Sequence, residues 1–130
     1  MNITRDFVTW MESKSLATFG TTVYIGSVPQ DAPDTCWWVL SSGGNTLSKN
    51  NTGEKQKNYI ISVFYRSIDA ENVYDTLQSF EELVNAKDCV VFTNYDILEL
   101  QATVYPTDQD IDNEERTVGL VQILLTVYTN

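Results

Sequence analysis

The sequence predicts an α+β domain, a single mainly antiparallel sheet with two helices packed on it. Three observations lead there. Residues 3–16 and 69–86 repeat apolar side chains at helical spacing, residues 59–66 and the stretch after Arg116 are apolar strand-like runs, and residues 97–105 alternate apolar with polar side chains. The 130 residues, 42 % of them apolar, are material for one domain spanning 1–130, with a core that needs no staples.

In the first segment Ile3, Phe7, Trp10 and Met11 fall on one helical stripe, with Arg5, Asp6, Glu12 and Lys14 between them, and the helix should end before Gly20. Residues 21–28 are β-branched and aromatic and read as a strand, which Pro29 closes. Residues 36–40 form a short apolar strand. The following stretch, 41–58, is rich in Ser, Gly, Asn, Thr and Lys and poor in apolar side chains, so a mobile loop is expected there. Residues 59–66 are apolar on both alternating faces, as in a central strand covered on both sides. Asp69 has the character of a helix N-cap, with Ile68 and Val73 spaced to pack together as a hydrophobic staple. The helix after it turns Val73, Leu77, Phe80 and Val84 inward and Glu71, Asp75, Gln78 and Glu82 outward, and ends near Asn85 and Ala86. Residues 89–92 are a short apolar strand or link. In 97–105, Leu98, Leu100, Ala102 and Val104 should share one face. Pro106 stops that strand, an acidic loop occupies 106–115, and Val121, Ile123, Leu125 and Val127 make the inner face of the last strand.

Charge and composition exclude several functions. The net charge of −10 opposes nucleic-acid binding, because phosphate contacts need clustered Lys and Arg. Histidine is absent, which removes the most usual general base, the Ser-His and Cys-His nucleophile pairs and the commonest zinc ligand. No secretory signal and no membrane-spanning run is read in the sequence. Cys36 and Cys89 each lie in an apolar segment and read as buried, reduced thiols. No enzymatic activity and no cofactor is expected.

Four features are candidate sites. Asp108, Asp110 and Asp112, followed by Glu114 and Glu115, have the alternation of hard-cation ligands. The glycine at the sixth position and the glutamate at the twelfth of a calcium loop are missing, so the run reads as a solvated acidic turn and no metal is assigned. Trp37 and Trp38 point to opposite sides of a strand, so either both are core, or one is core and the other an interface anchor or a stacking surface for a ligand. Lys49, Lys55 and Lys57 make the one basic cluster. Arg66 and Arg116, each at a strand end, are placed for structural ion pairs. The glycines at 43–44 lack the Lys-Ser/Thr ending of a phosphate loop.

The order of segments is similar to that of the tail terminator and minor capsid (head–tail joining) proteins of long-tailed bacteriophages. The resemblance is carried by an N-terminal helix and the strand at 19–29 that runs into a Pro-containing loop. It continues through the strand ending Phe64-Tyr65-Arg66, the helix with Ala70, Tyr74 and Leu77, the linker at 112–116 and the final strand. It covers most of the chain as a pattern rather than a signature, and the long polar stretch at 41–58 departs from it. The resemblance implies a virion protein at the head-proximal end of the tail, assembled in the host cytoplasm. Such a protein forms a ring of identical copies, six by this resemblance, which ends tube polymerisation. Its partners would be itself, the tail tube protein and a head connector or stopper protein, with DNA passing through unbound and no membrane involved. Trp37, Trp38, Lys49, Lys55 and Lys57 are the candidate subunit interface, and Asp108, Asp110, Asp112, Glu114 and Glu115 the candidate channel or docking surface. The alternatives are another small head–tail completion protein, or a cytosolic module that binds a cation at 108–115.

Overall fold

A computed structural model describes residues 3–49, 55–86, 90, 92, 96–105 and 116–129. Two helices and one five-stranded mixed, mostly antiparallel sheet make an α+β fold. The elements are α1 (Ile3–Ser13), β1 (Val23–Ile25), β2 (Cys36–Lys49), β3 (Lys55–Ser67), α2 (Ala70–Asn85), β4 (Asp96–Tyr105) and β5 (Thr117–Thr129). The sheet order is β1-β2-β3-β5-β4, with β1 parallel to β2 and every other pair antiparallel.

Both helices lie on one face of the sheet. The row Val39–Val63–Val121–Val104 and the row Ser41–Ile61–Ile123–Ala102 cross the strands in register and point toward them. Phe80 of α2 joins the layers, its ring 6.2 Å from Phe7, 6.3 Å from Trp10 and 5.1 Å from Trp37. Burying one such aromatic stabilises the fold by roughly 1.5–3 kcal/mol, so this cluster anchors both helices to the sheet. At the end of α1, Ser15 adopts the left-handed region (φ 58°), Leu16 N–H donates to Met11 O and Ser15 N–H to Glu12 O. These are the two bonds of a Schellman closure, made here without glycine. Asp69 caps α2: its Oδ1 accepts from Glu71 N–H at 3.0 Å and Asn72 N–H at 3.4 Å.

Three expectations need correction. Residues 41–49 and 55–58 are not a loop but the outer half of the β2–β3 hairpin. Pairing runs on through Thr46↔Lys57 and Lys49↔Lys55, past register shifts at Gly43/Asn45 and Thr46/Ser48. A polar strand holds there because the β3 part is hydrogen-bonded to β5 on its other side, from Lys55↔Thr129 to Asn58↔Thr126. Leu98 does not share the inner face with Leu100. A register shift between Ile97 and Glu99 turns Leu98 outward, and Ile97 packs on the core instead. Ile68 stands 64 % exposed, so it is not tucked into the core beside Val73 as a staple. β1 is also shorter than the expected 21–28; Gly26 ends it in a left-handed conformation (φ 86°) and donates its N–H to Val39 O. Of the link at 89–92, Val90 and Phe92 are described and both are buried. The acidic loop at 106–115 lies outside the described residues.

Candidate functional site

Strand alternation separates the two adjacent indoles. Trp37 faces the helices, is 5 % exposed and lies 4.5 Å from Tyr65 and 5.1 Å from Phe80, so it belongs to the core and is not available as a subunit contact. Trp38 faces the other way and stacks on Phe64, the rings nearly parallel (5°) at 5.1 Å. The register Tyr24↔Trp38↔Phe64↔Leu120 continues this pair into an aromatic and apolar row across four strands.

Behind that row the same face carries Leu40, Ser62 and Gln122, then Ser42, Ile60 and Leu124. Leu40 is 41 % and Leu124 51 % exposed. No charged residue occurs in 38–42, 58–64 or 120–126, the spans of the three central strands that build this face. Glu99 of β4 stands at its margin, across from Thr126. Both helices are on the other side, so none of the described helices covers this face.

The β4 edge of the sheet is occupied at two positions. Asn85, at the end of α2, accepts from Ala102 N–H at 2.8 Å and donates its amide to Ala102 O at 3.1 Å, as a neighbouring strand would. Glu81 Oε2 accepts from Val104 N–H at 2.7 Å. An edge occupied in this way does not template further strand pairing.

The remaining predicted residues fall at other places in the fold. Lys49 and Lys55 are cross-strand partners near the end of the β2–β3 hairpin, and Lys57 pairs across from Thr46. Arg116 pairs with Asp34 at 3.4 Å, as expected for a strand end. Arg66 is buried and donates to Pro33 O at 3.0 Å, so it ties β3 to the loop before β2 through a carbonyl rather than a carboxylate. Cys36 is a buried free thiol. Its burial raises the thiol pKa above the ordinary value, against an opposing pull from Arg66. Asp108, Asp110, Asp112, Glu114 and Glu115 lie outside the described residues.

Among the described residues one concavity of about 690 Å³ lies at the margin of the outer face, beside Glu99, Gln101 and Leu124. A groove of about 490 Å³ between Leu16 and α2 is lined by Trp37, Phe80, Leu83, Thr76, Ser79 and Asp75. One carboxylate and two hydroxyls there do not make a nucleophile–base pair. Among the described residues no group of three or more His, Cys, Asp or Glu is placed to hold a metal, and no helix is long and apolar enough to cross a membrane. What the arrangement offers is therefore a surface, the outer face of the sheet, uncharged across residues 38–42, 58–64 and 120–126. Sequence reasoning reached Trp38 but missed Leu40, Ile60, Phe64, Leu120 and Leu124 as its companions. Their common face follows only from the strand register. Compared with known protein families the chain matches none, and no curated protein is similar to it.

Proposed function

We propose that this chain is a structural virion protein of a long-tailed bacteriophage, without enzymatic activity. It caps the end of the tail tube as a ring, by resemblance a hexamer, ends tube polymerisation and presents the joining surface to the head connector. DNA passes through the ring without specific binding, as suits a chain of net charge −10. The sequence resemblance supplies the assembly. One structural observation carries the reading: an α+β sheet with its helices on one side and an uncharged apolar face on the other. A two-layer domain whose described residues leave such a face uncovered is suited to being covered by protein rather than to turning over a substrate.

The test is tube assembly in vitro. Tail tube protein polymerised with this chain should give tubes of limited length, with the chain bound at one end by electron microscopy. Tubes of unchanged length with bare ends would overturn the reading.

A further inference from the structure

We infer that the outer face of the sheet, built around Trp38, Leu40, Ile60, Phe64, Leu120 and Leu124, is the surface through which one copy of this chain is covered by a second copy. The inference rests on the proposed ring for the expectation that copies associate, and it names the contact.

Area is the first argument. The sheet has five strands. Over the three central strands, at ~4.8 Å between strands and ~3.3 Å per residue, the uncharged rows span roughly 14 Å by 23 Å, about 330 Å² in projection. The accessible surface of side chains standing on such a plane exceeds its projection, so two such faces together approach the ~1,000 Å² total at which a specific contact begins. The face thus has the size of a weak, reversible contact between copies.

Charge is the second argument. The chain carries 18 acidic against 8 basic side chains, so two copies repel over most of their surface. A partner of opposite charge would be recognised through charges, and residues 38–42, 58–64 and 120–126 offer none. The face is the part of the molecule that a second, equally acidic copy can approach without bringing carboxylates together. Along β4, Ala102 and Val104 are already satisfied by Asn85 and Glu81, so strand addition is blocked at those two positions.

The decisive experiment is sedimentation of the wild-type chain beside Leu40→Glu and Leu124→Glu. Both leucines are already exposed, so each variant should keep the wild-type circular dichroism and melt within a few degrees of it. The wild type should associate at micromolar concentration, and each variant should weaken that association by roughly a hundredfold or more, because an unpaired carboxylate would be buried in the contact. A ring-sized wild-type species lost in both variants supports the face and the ring together. A wild-type dimer lost in both variants supports the face and removes the hexamer, since a ring needs the face to meet a different patch on the next copy. A wild type that stays monomeric, or variants that associate as it does, overturns the inference and leaves the face to an unlike partner. Tube capping by a monomeric Leu124→Glu variant would also overturn it while leaving the terminator reading intact.

Discussion

Cys36 sits where three forces meet: its own burial, the Arg66 guanidinium and the Arg116–Asp34 pair. Burial dominates and holds the thiol protonated beyond its ordinary value of 9.0, and burial likewise raises the Tyr65 phenol above 10.0. In the unfolded chain these groups ionise earlier than in the fold. Their contribution to stability is complete below the unfolded values and is lost as pH rises through the folded ones. Urea midpoints should therefore fall as pH climbs past 9.0, and Cys36→Ala should make the first part of that fall shallower. Equal slopes in the two proteins would show that the thiol is not coupled to folding. Trp37 and Trp38 show the limit of reading residues one at a time. Both are indoles in an apolar run, and only the register with Tyr65 and Phe64 tells which is core.

At the level of elements, the β4 edge depends on α2. Asn85→Ala removes both partners of Ala102 and should cost about 1–3 kcal/mol in urea denaturation. It should also open the edge to strand pairing, seen as light scattering that rises with protein concentration. A variant as stable and as clear as wild type would mean that the amide seals nothing. Helix α2 was legible in the sequence because its cap, period and end are all local: Asp69, then Val73, Leu77, Phe80 and Val84, then Asn85. The outer part of the β2–β3 hairpin was not. Its polar composition reads as a loop, and what makes it a strand is pairing with β5, some seventy residues away along the chain. Leu98 was misread for a related reason, since a bulge shifts the alternation without any mark in the residue types.

Across the whole molecule, charge is segregated by element. Residues 36–67 hold Lys49, Lys55, Lys57 and Arg66 against the single acid Glu54, whereas after Ser67 only Lys87 and Arg116 are basic. The outer sheet face belongs to neither field. Association through it should therefore tighten with salt, because added ions screen the repulsion between acidic bodies without weakening an uncharged contact. Raising ionic strength from ~0.01 M to ~0.1 M, which shortens the Debye length from about 30 Å to about 10 Å, should lower the dissociation constant measured by sedimentation. Weaker association would show that ion pairs, not the apolar face, hold the copies together. The fold class could be read from the sequence because helical and strand periods are strong in α2, β5 and the inner part of β3. The candidate surface could not, because it is assembled from single residues of β1, β2, β3 and β5 that only the sheet aligns.

The division of the indoles has an optical consequence. Trp10 and Trp37 are 4 % and 5 % exposed, while half-buried Trp38 lies on Phe64 at the outer face. A neutral quencher such as acrylamide will reach Trp38 well before the other two. The emission of the unlabelled protein is therefore a gauge of what lies against that side of the sheet, and a molecule settling there will shield its own reporter.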